Sequence, residues 1–224
     1  MAITLEYLGH SGVWLSDGTH RVVIDPFLTH NPLARKKPAD IACDWILLTH
    51  GHFDHTADAE AIARANNATI HATYELAALF DKKGCTVSYG NQGGSVSTPF
   101  GRVTLVQAMH SSSFEGQYAG MPCGVIVTLG GVTIYHLGDT SLFGDLALFG
   151  EIFKPDIALI PIGDRYTMGP RLASRAAEMI RPKLAIPIHY KTFAGQLVED
   201  ASGFEPQGIT VRVMEPGDVL NFGE

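Results

Sequence analysis

Short apolar runs and amphipathic stretches follow one another along the whole chain. Near the N-terminus, apolar or alternating runs predict strands at residues 3–8, 12–15 and 21–24, and Asp17-Gly18 marks a hairpin turn. Residues 28–40 are polar and contain proline, which indicates a loop. Later apolar runs predict further strands at 45–48, 68–71, 95–98, 103–109, 124–129, 132–137, 157–162, 184–188, 209–213 and 219–222.

Helical composition is interspersed with these strands. It predicts helices at 57–66, 74–83, 142–153 and 171–180, with Gly84 ending the second and Pro170 beginning the fourth. Each half of the chain therefore has strands first and strand–helix alternation afterwards. Two packed sheets with helices on both outer faces satisfy this order, so we expect an α/β protein with a four-layer αββα sandwich. No linker or break in composition appears, and a single domain over residues 1–224 is expected.

Composition limits the kinds of binding partner that we expect. The chain has 46% hydrophobic and 17% charged residues and a formal net charge of −7, so we expect a small-molecule substrate and no nucleic acid. Its three cysteines form no C-x-x-C pair, which favours a reducing compartment. Neither a signal peptide nor a long apolar run is present, so we expect a cytoplasmic protein without a stable membrane anchor. A homo-oligomer is a weaker expectation.

The stretch LLTHGHFDH carries the densest chemistry, with His50, His52, Asp54 and His55 inside six residues. Residues i and i+2 of an extended chain point to the same side, so His50 and His52 can reach one ion. Asp54 and His55 follow where the chain turns into a helix and can point to a neighbouring position. The alternative is an exposed polar turn that happens to be rich in histidine.

Four further residues of ligand type each follow an apolar strand: Asp25, His110, Asp139 and His189. Strand ends gathered at one edge of a sheet make a natural site, although a single histidine there is more often structural. The count suits two metal ions with open positions. One ion takes His50, His52 and His110, the other takes Asp54, His55 and His189, and Asp139 bridges them. Imidazole and carboxylate ligands favour zinc but also admit manganese, iron or nickel.

The ordered set H-x-H-x-D-H, His110, Asp139 and His189 resembles the metallo-β-lactamase fold superfamily across essentially the whole chain. The segments EYLGHSGV, VIDPFLTHNPLA, MHSSS, HLGDT, LIPIGDRYTMGP and IPIHYKTF are similar to a bacterial and archaeal family of uncharacterised metal-dependent hydrolases. That family is related to ascorbate-6-phosphate lactonase and N-acyl phosphatidylethanolamine phospholipase D. The resemblance implies the αββα sandwich, the same metal ligands, and Asp25 as a carboxylate that orients a ligand histidine.

The resemblance leaves the substrate open, because this fold hosts many chemistries. Di-iron redox members usually carry Glu where this chain has His52, and zinc β-lactamases often carry Cys where it has Asp139. Nucleases of the superfamily usually have an additional domain. These departures favour a metal-dependent hydrolase of a small ester, lactone or phosphodiester. The rival from another class is a non-catalytic metal-binding or sensing protein on the same fold.

The expected mechanism is attack by a hydroxide held between the two ions on a carbonyl carbon or phosphorus, with Asp54 aligning it. His10 is a second catalytic candidate, as a hydrogen-bond partner of substrate or a general acid, against a structural role. Loops after two strands supply expected pocket residues: Ser111, Tyr118, Arg165, Tyr166 and Thr167.

Five other residues have no expected catalytic role. His20, His30 and His71 are predicted to lie on the surface or in loops, with His30 near the pocket mouth. His136 is expected to face the core or to support a ligand, and Cys123 is expected to be buried.

Overall fold

The computed structural model describes residues 2–223, which form two seven-stranded mixed sheets and a small hairpin. The N-terminal sheet has the order β16-β1-β2-β3-β4-β5-β6. Its strands are β1 (Ile3–Gly9), β2 (Gly12–Ser16), β3 (Arg21–Ile24), β4 (Trp45–Leu47), β5 (Thr69–Thr73), β6 (Val87–Gly90) and β16 (Val219–Phe222).

The C-terminal sheet has the order β15-β14-β13-β12-β11-β8-β7, and β9 and β10 form the separate hairpin. Its strands are β7 (Ser95–Thr98), β8 (Gly101–Gln107), β11 (Cys123–Leu129), β12 (Val132–His136), β13 (Ile157–Pro161), β14 (Leu184–Ile188) and β15 (Thr210–Val211). The hairpin consists of β9 (Ser113–Phe114) and β10 (Gln117–Tyr118).

Strand direction brings the important strand ends to one side. β1 and β3 are each antiparallel to β2, and β4 is parallel to β3, so β1, β3 and β4 all end at the same edge. In the other sheet β8 and β12 flank β11 in antiparallel fashion, and β13 and β14 run parallel to β12. The two edges meet, because the His189 backbone N–H donates to the His10 carbonyl at 2.7 Å.

Three buried clusters define four layers. The central cluster joins the inner faces of the two sheets, for example Leu15 and Ile24 with Val125 and Ile186. A second cluster lies between the N-terminal sheet and its helices, and a third between the C-terminal sheet and its own helices. The αββα sandwich predicted from the pattern is therefore confirmed. The helices are α1 (Phe53–Thr56), α2 (Ala59–Asn66), α3 (Tyr74–Lys82), α4 (Asp145–Phe153) and α5 (Pro170–Ile180).

The prediction of one helix over 57–66 was wrong in its bounds, because two helices, α1 and α2, meet at Ala57 and Asp58. Asp58 has φ −106° and ψ 0°, outside the helical range. Its buried carboxylate accepts the backbone N–H groups of Leu28 and Thr29, which ties the 28–40 loop to this junction. That loop also contains one 3₁₀ turn, Pro38–Asp40. The predicted 142–153 helix begins three residues later, at Asp145.

His71 was wrongly predicted to lie at the surface. It is 2% exposed on β5, and its Nδ1 is 3.0 Å from the Ser88 carbonyl oxygen on β6. Strand β6, which covers it, was not predicted because its residues are mostly polar and only partly buried. Cys123 is buried as predicted. Among residues 2–223, no helix has both the length and the apolar character that crossing a membrane requires.

Candidate metal centre

Side chains of ligand type turn into the junction between the two sheet edges. Three of them leave their strands through a left-handed backbone: His10 after β1 (φ 56°), Asp25 after β3 (φ 46°) and His189 after β14 (φ 59°). Residues other than glycine adopt this region infrequently, and such strain collects at functional sites. The backbone therefore turns sharply where each of these strands ends.

Asp139 is placed by its neighbours in the loop after β12. Gly138 has φ 62°, and a Cβ there would lie 2.6 Å from the Cys123 carbonyl oxygen, so a larger residue does not fit. The Gly138 N–H donates to Nδ1 of His136 at 3.1 Å, while His136 Nε2 donates to the Ser11 carbonyl at 2.8 Å. His136 thus holds the loop that presents Asp139, a role that the sequence alone did not assign.

The predicted ligands assemble in two overlapping sets. We call His50, His52 and His110 the histidine group, and His10, Asp54, His55 and His189 the aspartate group. Within each group, one potential ligand atom of every residue lies within 4.8 Å of the others. Asp139 lies between the groups, because it forms a third such set with His50 and His55. The structure thus brings together all seven predicted ligands and adds His10.

Buried polar atoms at this junction lack partners. Within residues 2–223, His55 Nε2, Asp139 Oδ1 and both ring nitrogens of His189 are buried without a hydrogen bond. His55 Nε2 lies 3.4 Å from Asp139 Oδ1, and His189 Nε2 lies 3.0 Å from Asp139 Oδ2. Leaving such atoms unpaired is costly. Divalent cations would satisfy them, and the nitrogen and oxygen donors suit transition metals. The residues present therefore fit a metal.

Asp25 fixes the protonation pattern of two ligand histidines. Its Oδ2 accepts Nδ1–H of His55 at 2.7 Å and the Thr49 hydroxyl at 2.6 Å. Because the Thr49 hydroxyl donates to Asp25, its oxygen accepts Nδ1–H of His50, at 3.0 Å. Both imidazoles thus direct Nε2 toward the centre. Asp25 orients His55 directly and His50 through Thr49. The link through Thr49 was missed, although a hydroxyl residue directly before His50 could have suggested it.

His10 is bonded at both ends of its ring. Nε2 lies 2.9 Å from Asp54 Oδ2, and Nδ1 lies 3.0 Å from the Thr192 hydroxyl. Burial and the neighbouring His189 lower the pKa of His10 to about 4, so the ring is neutral near pH 7. Its one proton belongs on Nε2, opposite the carboxylate, and Nδ1 accepts the hydroxyl. No pattern in the sequence pointed to Thr192.

The two groups differ in charge. Burial lowers the pKa of His50 well below its ordinary value, and it also lowers that of His52 and His110. Burial acts in the same direction on His55 and His189, but nearby carboxylates outweigh it. Asp139 is the principal opposing charge, and the pKa of His189 rises to about 9 while that of His55 rises well above its ordinary value.

The two carboxylates respond in the opposite sense. Burial alone would raise the pKa of Asp139 and Asp54, yet both fall well below the ordinary aspartate range. For Asp139 the histidines responsible are His189 and His55, and for Asp54 they are His55 and His10. Both aspartates are therefore anionic at neutral pH and attract cations into the junction.

A cavity of about 280 Å³ opens the centre to solvent; we call it the entrance cavity. Its lining includes both metal-ligand candidates and loop residues: His52, Asp54, His110, Ser111, Asp139, Tyr166 and His189. The predicted pocket residues Ser111 and Tyr166 lie here, with the Ser111 hydroxyl 3.5 Å from His52 Nε2.

The other three predicted pocket residues do not line the entrance cavity. Tyr118 is 65% exposed on β10. The guanidinium of Arg165 lies 5.5 Å from the Tyr166 ring centre. The Thr167 hydroxyl accepts the Gly163 N–H at 3.2 Å, a contact that supports its own loop.

Comparison with known proteins agrees with this fold and site. Residues 4–189 match the family model of the beta-lactamase superfamily domain. The chain is 47% identical to a UPF0173 metal-dependent hydrolase of Exiguobacterium sp., covering 90% of this chain and 92% of the relative. It is 44% identical to one of Thermus thermophilus, covering 98% and 99%. The structure of Igni18, a metallo hydrolase of Ignicoccus hospitalis, covers 100% of both chains with TM-score 0.91 and 33% identity.

Fold and site together define a protein of the beta-lactamase superfamily with the metallo-β-lactamase fold. Within that superfamily, the chain belongs to the UPF0173 family of metal-dependent hydrolases. The resemblance stated from its motifs is thereby confirmed.

Proposed function

We propose that this protein hydrolyses a small ester, lactone or phosphodiester at a centre that holds two divalent ions, preferentially zinc. The observation that carries the proposal is the set of unpartnered ligand atoms on His55, Asp139 and His189, which lies at the base of an open cavity. A purely structural metal site is normally closed by protein ligands, whereas a catalytic site keeps open positions.

The histidine group would hold one ion and the aspartate group the other, with Asp139 shared. Ions of this kind lower the pKa of bound water to near neutrality and polarise the bond that is broken. A ligand histidine must present an unprotonated nitrogen to the ion, and the contacts of Asp25 with His55, and of Thr49 with His50, keep one proton of each ring on Nδ1, so that Nε2 is the nitrogen available to the metal.

Substrate would approach from the side that is not buried. His50, His55 and His189 are at most 1% exposed, whereas the side chains of Asp54 and His110 are 24% and 15% exposed. Asp54 therefore faces both the centre and the entrance cavity, where its anionic carboxylate can accept a hydrogen bond from an attacking water and align it. His10 holds it there through the 2.9 Å hydrogen bond. We assign His10 to positioning Asp54, since a buried ring with a pKa of about 4 has no proton to spare near pH 7.

The test combines metal analysis with turnover. The purified protein, loaded with zinc or manganese, is assayed on panels of aryl esters, lactones and phosphodiesters, together with His50→Ala and Asp139→Ala. We expect turnover on at least one panel and its loss, with loss of metal, in both variants. An exposed carboxylate, removed in Asp145→Ala, is the matched control.

Two outcomes would contradict the proposal. Full activity in either ligand variant would exclude the centre from catalysis. Full metal occupancy with no turnover on any panel would instead support a metal-binding or sensing protein.

A further inference from the structure

A second cavity lies against the entrance cavity; we call it the side cavity. It measures about 380 Å³, within the range of about 300–1,000 Å³ that is typical of small-molecule sites. α1, the C-terminal end of α3 and the β9–β10 hairpin enclose it. Its lining includes His52, Phe53, Ala57, Phe80, Lys83 and Phe114.

His52 belongs to the walls of both cavities. It is half-buried, one ring nitrogen lies 3.0 Å from His50 Nε2, and the other lies 3.5 Å from the Ser111 hydroxyl. Gly51 is placed against the hairpin, since a Cβ there would lie 2.7 Å from Ala119 Cβ. The two cavities therefore share the His52 side chain, which places the side cavity next to the open face of the metal centre.

Aromatic rings give the side cavity an apolar interior. Phe80 and Phe114 pack with ring centres 5.0 Å apart, and both are buried. Phe53 is 59% exposed, an unusual position for a phenylalanine directly beside metal-ligand candidates. An apolar group in the side cavity that covered the exposed face of Phe53 would remove hydrophobic surface from water.

Charges at the rim balance one another. The Lys83 ammonium lies 2.7 Å from Glu115 and 3.6 Å from Glu60, and Arg64, which lies outside the cavity lining, is 3.0 Å from Glu60. These two cations and two anions leave no net charge to attract an ionic group. The interior therefore suits an uncharged chain or ring.

We propose that the side cavity is a specificity subsite that binds an uncharged apolar group of the substrate. This group, an alkyl chain or an aromatic ring, is attached next to the bond that is hydrolysed. This proposal rests on the hydrolytic function proposed above. It assigns the substrate two parts: a hydrolysable group over the metal centre and an apolar extension past His52.

The first experiment measures kcat/KM on p-nitrophenyl esters from acetate to octanoate with zinc-loaded protein. We expect a rise of about threefold to fourfold for each methylene up to hexanoate, as burial of a methylene predicts. Ala57→Phe fills the side cavity and should flatten the series to within about twofold. Ala61→Phe, on the exposed face of α2, should keep the wild-type slope. A flat series in the wild type, or an unchanged slope in Ala57→Phe, would overturn the proposal.

The second experiment separates the subsite from the hydrolytic function. ¹⁵N-labelled protein, with zinc or with chelator, is titrated with hexanamide and with acetamide. We expect saturable shifts of the Ala57, Ser113 and Gly116 amides with hexanamide alone, and none in a folded Ala57→Phe. These shifts support the subsite even if no ester is hydrolysed, in which case only the hydrolytic function fails. Their absence from the wild type overturns the subsite whatever the esters show.

A third comparison tests the charge balance with a variant at an exposed position. Glu115→Gln leaves Lys83 with one neutralising partner fewer. The wild type should bind hexanamide at least about tenfold more tightly than hexanoate, and Glu115→Gln should narrow that preference. Equal binding of both probes by the wild type would contradict an uncharged occupant.

Discussion

The two halves of the candidate metal centre differ in their side chains and in their charge. The histidine group, His50, His52 and His110, contains only imidazoles, and each has a lowered pKa. The aspartate group, which contains Asp54 and His189, lies with Asp139 in a buried network where the pKa values of His55 and His189 rise, although that of His10 falls. Near pH 7 the first is neutral and ready to bind a cation. The second retains protons that a cation must displace.

This difference shows how two neighbouring groups of similar ligands in one cleft can differ in the pH dependence of metal binding. The histidine group depends on burial to keep its rings neutral, so its metal binding should vary little above neutral pH. The aspartate group uses the attraction between anionic aspartates and histidine cations to stabilise itself. A cation that enters it replaces those protons, which makes its occupancy depend on pH.

The largest effect is expected from removing the shared carboxylate. Asp139→Ala should lose metal from both groups and lower kcat/KM by at least about a thousandfold, because Asp139 contacts residues of each. His52→Ala should lose metal only from the histidine group. Metal equivalents by mass spectrometry check this. Loss of both equivalents in His52→Ala, or retention of one in Asp139→Ala, would show that Asp139 is not shared.

The next largest effect is expected from Asp25→Asn, which should lower metal affinity about 10- to 100-fold. This is a typical loss when a carboxylate that orients a ligand histidine is removed. The substitution alters the acceptor for His55 and for Thr49. Thr49→Val should weaken only the ion held by His50. Competition with a fluorescent chelator measures both, and Asp44→Asn, in a partly exposed ion pair with Arg21, is the control. If Asp25→Asn and Thr49→Val weakened the binding of both ions equally, the link from Asp25 through Thr49 to His50 would be contradicted.

The stability of the metal-free protein should fall with rising pH. The folded-state pKa of His189 is about 9, above the ordinary 6.5, so its contribution is complete below pH 6.5 and is lost as pH rises through 9. We expect the titration of His189 to lower the free energy of unfolding by up to about 3 kcal/mol across this window, and that of His55, whose pKa is also raised, to act in the same direction. Urea unfolding in chelator measures it.

The same titration compares the two groups. Asp139→Asn should suppress the pH dependence, whereas His110→Ala should preserve it, because the lowered pKa of His110 acts below this window. Zinc should reverse the slope, since its binding is favoured as protons leave. An unchanged slope in Asp139→Asn would refute the charge assignment.

The smallest effect is expected from Thr192→Val. It removes the hydroxyl that is 3.0 Å from His10 Nδ1 while nearly preserving volume. His10 could then place its proton on either nitrogen and would hold Asp54 less well. We expect kcat to fall about twofold to tenfold, the worth of one hydrogen bond, with KM and metal content unchanged. A matching loss of metal would show that His10 acts as a ligand instead.

Most of the fold follows from local pattern. Strands β3, β7, β14 and β16 have the bounds that hydrophobic periodicity predicted, since their residues alternate or are wholly apolar. Pattern failed where polar residues are structured by tertiary contacts. β6 is a partly buried edge strand, and the break between α1 and α2 depends on an Asp58 carboxylate that bonds a loop 30 residues away.

The site divides in the same way. The candidate ligands that the structure brings together were readable, because histidine and aspartate at strand ends are few and chemically specific. The placement of His10 beside Asp54, 44 positions away in sequence, was not readable, because it depends on the strand order that makes β1 and β4 end at the same edge of the N-terminal sheet. The side cavity was equally hidden, since helix α1, the end of α3 and the β9–β10 hairpin only combine in three dimensions.

The sequence by itself thus determined the layers of the fold, the ligand chemistry and the strand ends that supply it, because side-chain period and residue type are local properties. Tertiary structure decided which candidate ligands lie together, which ring nitrogens of His50 and His55 face the centre and which groups retain protons. Those properties depend on burial and on distances between residues far apart in the chain. For that reason the cluster from His50 to His55 predicts a metal site but specifies neither the other residues of that site nor the substrate.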